Sequence, residues 1–399
     1  MQEVYFDHAA TTPIDPRVRS AMRPFLDEAF GNPSSFHMKG KIVRDAIDHA
    51  RGQVASVLSA RPDEIIFTSG GSESDNLAVL GVARAHAAHG RHIVSVKTEH
   101  QAVLEPLYHL EKKEGFEVTY VEVTRDGLVT TEDVIAAIRP DTILVTIMYA
   151  NNEIGVIQDI AEIGKRIVRL RKESKGTYPL FHTDACQAVG ALEVDVNKLH
   201  VDLMTVNSSK IYGPKGVGAL YVHRGIKLTP MQFGGAQERG IRPGTENVAG
   251  IVGMGEAIEI AQQERAAYNE NLTPLRDYLI EQTLATIPKT RLNGHPTKRL
   301  ANNVNISFMD IEGEALLLYL DASGIYASTG SACTSASLDP SHVILAMGLP
   351  YEVAHGSLRF TLGRSTTKKD IDYLLKTLPP LVEKLRKISP VRVDEKYFA

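Results

Sequence analysis

Between residues 61 and 222, short β-branched runs alternate with stretches of helical spacing. "EIIFTS" (64–69) has the composition of a strand. "SESDNLAVLGVARAHAAHG" (72–90) follows with apolar residues at Leu77, Leu80 and Ala83, the spacing of one helix face. "HIVSVK", "EVTYVEV", "TILVTIMY", "PLFHTDA", "LMTVNS" and "GALYV" continue the strands, and 100–114, 131–138 and 160–174 have helical patterns. Parallel strands need crossover connections, usually helices, so this rhythm predicts an α/β fold with a mostly parallel sheet covered on both faces. A long helical pattern at 248–285 ends the alternation, and "LTPL" within it predicts a kink. Beyond it, "ANNVNISF", "EGEALLLYLDASG" and "GSLRFTLGR" predict a smaller α+β lobe. The expected division is a large domain over 15–260 and a small domain formed by 1–14 with 261–399.

The bulk properties exclude several function classes. A chain of 399 residues, 43% of them hydrophobic, can bury a large core. With a formal net charge of -4 it has no basic excess to draw it to nucleic acid or an anionic membrane. The start, "MQEVYFDHAATTP", lacks a basic stretch followed by an apolar one, so no secretory leader is expected. The longest apolar-rich run, "TILVTIMYA", is too short to span a bilayer. Two cysteines make no disulfide framework and fit a reducing compartment, so a cytoplasmic location is expected.

Four segments, the fourth taken together with a neighbouring strand end, carry candidate chemistry. In "TSGGSESDN" (68–76) a glycine turn joins a strand to a helix. Ser72 is expected at the N-cap with Asp75 three residues on, and the exposed amides there suit a phosphate. In "HTDACQAVG" (182–190) Asp184 ends a strand of a buried sheet, where a carboxylate needs a cationic or hydrogen-bonding partner such as a protonated ring nitrogen. Cys186 is expected to pack there as a small apolar side chain. In "NSSKIYGPKGVG" (207–218) Lys210 closes a strand inside a hydroxyl-rich turn. A partly buried lysine loses proton affinity and condenses with aldehydes, and Lys215 is its local rival. "TEHQAV" (98–103) and "YANNEIG" (149–155) place His100 and Asn151 after further strands. Ligands of open α/β sheets sit outside the carboxyl ends of the strands, so Ser72, His100, Asn151, Asp184 and Lys210 are expected to share one rim. No cluster has zinc spacing. A fifth segment, "TGSACTSAS" (329–337), surrounds Cys333 with glycine, alanine and hydroxyls, which cannot bury a thiol, and predicts a mobile, wet loop.

Taken in order, "DHAATTP", "GNPSS.H", "TEH", "NNEIG", "D..Q..G", "KIYGPKG", "RG.R.GT" and "GSACTSAS" make the chain resemble the cysteine desulfurases, a group within the class V aminotransferases of pyridoxal-phosphate (PLP) fold type I. The resemblance spans nearly the whole chain. Its last motif is similar to the branch that supplies sulfur for iron–sulfur cluster assembly and has a long cysteine loop. The resemblance implies a homodimer that converts L-cysteine to L-alanine with pyridoxal 5'-phosphate as cofactor. The sulfur would pass as a persulfide on Cys333 to an acceptor scaffold or carrier protein. It implies that Lys210 holds the cofactor's aldehyde, Asp184 keeps its pyridine nitrogen protonated and Gln187 donates to its phenolic oxygen. His100 would stack on the ring, relay protons and promote deprotonation of Cys333. Gly71, Ser72, Asn207 and Ser209 would lie around the phosphate, with Thr245 reaching it from the other subunit. Asn151 and Arg359 would hold the substrate carboxylate.

Two departures from that family's pattern bear on the cofactor. Relatives commonly read Ser-Gly-His-Lys where this chain reads Asn207-Ser208-Ser209-Lys210, and threonine where it has Ser72. Asn207 and Ser209 still donate hydrogen bonds, but one potential positive charge is absent, which predicts altered rather than abolished PLP binding. The rival expectations are a selenocysteine lyase, another fold-type I enzyme such as an aminotransferase, and a non-catalytic scaffold for cluster assembly. An aminotransferase has no use for an exposed loop cysteine.

Overall fold

The computed structural model describes residues 2–330, 339–390 and 392–397. Its centre is a seven-stranded sheet of β1 (Ile65–Thr68), β2 (His92–Val96), β3 (Glu117–Val121), β4 (Thr142–Thr146), β5 (Leu180–Asp184), β6 (Leu203–Asn207) and β7 (Gly218–Val222). The strands lie in the order β1-β7-β6-β5-β4-β2-β3. Only β7 runs antiparallel to its neighbours. Helices α1 (Gly71–His86), α2 (Gln101–Lys113), α3 (Thr131–Ala136) and α4 (Ile160–Ser174) occupy crossovers between strands.

Successive residues of one strand enter two different cores. Ile65, Phe181 and Met204 join one apolar cluster, while Ile66, Leu180 and Leu203 join another on the opposite face. Both faces are therefore dry, which is why these runs are continuously apolar in sequence instead of alternating.

A helix of 39 residues, α5 (Val248–Thr286), leaves this layer. Ile251, Met254 and Ile258 pack on the first core, and Leu272 and Leu279 on a third. The kink expected at "LTPL" does not end the helix, which runs on through Pro274. The third core lies among α5, the helix Lys368–Ile388 and an antiparallel sheet of Ser357–Thr361, Asn303–Phe308 and Thr290–Leu292. Val4–Tyr5 pairs in parallel with Ile325–Tyr326, which brings the first residues of the chain to this second lobe.

One local expectation is corrected. α1 starts at Gly71 with Gly70 as its N-cap, so Ser72 is already the second helical residue and does not cap. Near the C-terminus, Val393 is buried, and its amide donates to Asp310 Oδ1 at 2.8 Å. Among the described residues no helix is long and apolar enough to cross a membrane.

Candidate active site

The carboxyl ends of β1, β2, β4, β5 and β6 open onto one cleft. Ser72, His100, Asp184 and Lys210 all line it, as the rim argument predicts.

At one end of the cleft stands the start of α1. Gly70 has φ +152°, a conformation that side chains rarely adopt, and turns the chain from β1 into the helix. A Cβ on Gly71 would lie 2.9 Å from Cys186 Sγ and 3.3 Å from Asn207 Nδ2, so only glycine leaves this corner open. The first helical bond runs from the Ser74 amide to the Gly70 carbonyl. The amides before it are those that a helix start presents to a ligand. Asn207 faces the same corner. Its Oδ1 accepts from the Ser209 amide at 2.8 Å and from Ser209 Oγ at 3.0 Å, which fixes the acceptor end of the carboxamide and leaves Nδ2 near Gly71. Asn207 and Ser209, both departures from the family pattern, thus form one hydrogen-bonded unit.

Carboxyls dominate the floor. Asp184 Oδ1 accepts from the Cys186 amide at 2.8 Å. Asp75, on α1, lines the cleft beside it and is 1% exposed. Glu99, fully buried behind β2, accepts from the Met148 amide through Oε1. Burial, and then the charge of Asp184, raises the proton affinity of both Asp75 and Glu99. Burial also raises the Cys186 thiol, which is neutral and lines the cleft instead of lying wholly in core.

Lys210 sits just past β6, and its Nζ donates to the Ala10 carbonyl. Its local rival Lys215 is bonded to the Thr12 carbonyl at 2.8 Å and is not among the residues lining the cleft. His100 caps α2, with Nδ1 accepting from the Ala102 amide at 3.1 Å. A ring nitrogen that accepts carries no proton, so the ring's proton is on Nε2. Gln187 lines the cleft and donates to the Ala9 carbonyl at 3.0 Å. From the second lobe comes Arg359, 1% exposed, which donates to Asp7 Oδ1 at 2.7 Å and to the Asn152 carbonyl at 3.0 Å. Its Nε is buried without a partner.

Asn151 does not reach the cleft. Its amide donates to the Thr98 carbonyl and Met148 Sδ and accepts from the Glu153 and Ile154 amides, which uses its full capacity to hold the turn. Asn152 lines the cleft instead. Thr245 is exposed and is not among the lining residues of its own chain's cleft. Cys333 lies outside the described residues. Sequence reasoning missed Asp75, Glu99, Asn152 and Asp7. The signal for Asp75 was its place four residues after Gly71, one helical turn below the open amides and on the same face.

These residues fit pyridoxal phosphate. A glycine-made gap at a helix start has room for a phosphate, a carboxylate on the floor suits a cationic ring nitrogen, and an amine lines the same cleft. The described residues contain no group of His, Cys, Asp and Glu that could hold a metal ion.

Residues 4–374 match the class V aminotransferase family. The chain is 53% identical over 396 residues to the cysteine desulfurase IscS of Dictyoglomus turgidum, covering 99% of this chain and 98% of that protein. Among solved structures, a NifS-like protein at 37% identity superposes with a TM-score of 0.88, covering 96% of this chain and all of that one. SspA in complex with cysteine, at 36% identity, gives a TM-score of 0.76 over 90% of this chain and 98% of that one.

Proposed function

Because the chain belongs to the class V aminotransferases and, within them, to the cysteine desulfurases, we propose that its strand-end cleft binds pyridoxal 5'-phosphate and takes sulfur from L-cysteine, leaving L-alanine. The observation that carries this reading is the meeting of Lys210 and Asp184 in one cleft that ends at an open helix start. When bound, the cofactor supplies an electron sink for the pair left on the substrate.

The chain's own residues do the rest. Asp184 would accept from the ring nitrogen, and Ser72, the α1 amides and Asn207 would hold the phosphate. Lys210 would hold the aldehyde carbon, and His100 would face the ring. Gln187, whose amide donates to the Ala9 carbonyl, would donate its other N–H to the phenolic oxygen. Arg359 orients the substrate carboxylate with a guanidinium already fixed by Asp7 and Asn152. Lys210 Nζ would remove the substrate's Cα proton and later return one. The Cys333 thiolate attacks the substrate sulfur as the Cβ–S bond breaks. One thiol and one cysteine give one persulfide and one alanine, so atoms and electrons balance. An acceptor protein for iron–sulfur cluster assembly then takes the outer sulfur, and the reading places the enzyme in the cytoplasm.

A second copy completes the site. Thr245 is exposed beside a groove lined by Phe36, Arg44, Asp48, Gln237, Arg239 and Glu246. Phe36 is 100% exposed and Phe233 89%, which supports burial of this surface in a homodimer that carries Thr245 to the partner's phosphate.

The test is direct. Purified protein loaded with pyridoxal phosphate and given L-cysteine with a dithiol reductant is expected to release alanine and sulfide in equal amounts. Cys333→Ser is expected to take up cofactor normally and release neither. Alanine without sulfide from the wild type, or unchanged turnover by the variant, contradicts the assignment.

A further inference from the structure

Asp75 has no assigned part in the reading above, yet it is placed as few structural residues are. It is 1% exposed, it lines the cleft together with Asp184, and its Oδ1 has no hydrogen-bond partner. A buried polar atom left unmatched costs about 1–3 kcal/mol, so an unmatched oxygen at a ligand cleft calls for a partner that arrives with the ligand. The neighbours rule out an ordinary ion pair. The one charged-group contact of Asp75 among the described ion pairs is His182 Nε2, at 3.8 Å. His182 is fully buried, and burial depresses its pKa to about 3, so the imidazole is neutral. Its two nitrogens are already matched to Thr146 Oγ1 at 2.9 Å and Thr205 Oγ1 at 3.1 Å. Glu99 and Asp184 are acids, and Cys186 is a neutral thiol.

We propose that Asp75 is a positioning residue for the cofactor's ring nitrogen: its protonated carboxyl donates into the floor of the cleft beside Asp184, so that Asp184 remains the one formal charge that this nitrogen meets. The inference rests on the cleft binding pyridoxal phosphate and adds a second acid to the floor. Three ionised carboxylates around this floor would repel one another. One carboxylate supported by a neutral donor presents a single charge to a single cation. Thr205, between His182 and Asp75, orients the acid from behind.

The test compares binding of pyridoxal phosphate and of its 1-deaza analogue, in which a C–H replaces the ring nitrogen, to wild-type apoprotein, Asp75→Asn and Asp75→Ala. The wild type is expected to prefer the nitrogen-containing cofactor. Asp75→Asn, which keeps an N–H donor, should retain that preference. Asp75→Ala should lose about tenfold of it, the equivalent of one hydrogen bond to a charged group, with little change for the analogue. If Asp75→Asn falls as far as Asp75→Ala, the side chain acts as a charge and the proposal is wrong. If Asp75→Ala keeps the full preference, the side chain is merely structural and the proposal is equally wrong. An infrared arm needs neither cofactor nor the alanine variant. Wild-type apoprotein should show a protonated-acid carbonyl band that Asp75→Asn removes, distinct from the one removed by Glu99→Gln, and absence of the Asp75 band overturns the proposal. Failure of the wild type to take up pyridoxal phosphate at all would instead count against the desulfurase reading, and the infrared arm would still decide the protonation of Asp75.

Discussion

The floor and the roof of the cleft treat charge in opposite ways. On the floor, Asp184 receives one backbone amide and is paired with no cation among the described ion pairs, while the two acids nearest it are driven toward their neutral forms. On the roof, the cation Arg359 is already matched by Asp7 at 2.7 Å and by a carbonyl. The floor thus presents a carboxylate that none of the described ion pairs matches. The roof is built to orient an anion that it attracts only weakly. Cofactor affinity should therefore depend on the floor and substrate selection on the roof.

The largest effect that can break this comparison is at Asp184. Asp184→Ala should lower affinity for pyridoxal phosphate by roughly 10²–10³-fold, because it leaves a buried ring cation without its partner. Spectroscopic titration of the apoprotein measures it, and a loss below about fivefold would mean that the floor does not hold the ring. On the roof, Arg359→Ala should raise KM for cysteine about 30-fold with cofactor affinity little changed. An equal loss of cofactor would erase the distinction between the two surfaces.

Glu99 sharpens the comparison through stability. Its folded proton affinity is raised, so above the ordinary glutamate value of 4.5 the folded chain holds a proton that the unfolded chain has released, and stability falls as pH rises. Glu99→Gln cannot lose that proton. Its stability relative to the wild type should grow by about 1.4 kcal/mol per pH unit above about pH 4.5, until Glu99 ionises in the folded chain. Urea unfolding at several pH values reads this, and parallel curves for the two proteins would show that Glu99 is ionised in the fold. The smallest effect is expected at Asp7. Asp7→Asn removes a competitor for the guanidinium but keeps a hydrogen-bond acceptor, so KM for cysteine should fall about two- to threefold. A rise as large as that of Arg359→Ala would make Asp7 essential for orientation.

The layers and the rim were legible in sequence because both depend on local pattern. Strands buried on both faces read as apolar runs, and the turns after them identified Ser72, His100, Asp184 and Lys210 together. What escaped depended on details within single turns. After β4, the rule that ligands meet strand ends pointed to the turn that reaches the cleft, and within it Asn151 spends its amide on the turn itself while Asn152 lines the cleft. At α1, treating Ser72 as the cap made Asp75 a capping residue, whereas a helix starting at Gly71 turns Asp75 onto the floor. The raised proton affinity of Asp75 and Glu99 could not be read from sequence at all, because it follows from their burial near Asp184, which is distant along the chain.

The central claim is that the floor presents one carboxylate to a cationic ring nitrogen. The nitrogen-15 chemical shift of ring-labelled pyridoxal phosphate bound to the wild-type protein measures this most directly. A shift in the protonated-pyridine range, moving to the neutral range in Asp184→Ala, is the predicted result; a neutral-pyridine shift in the wild type would contradict the account.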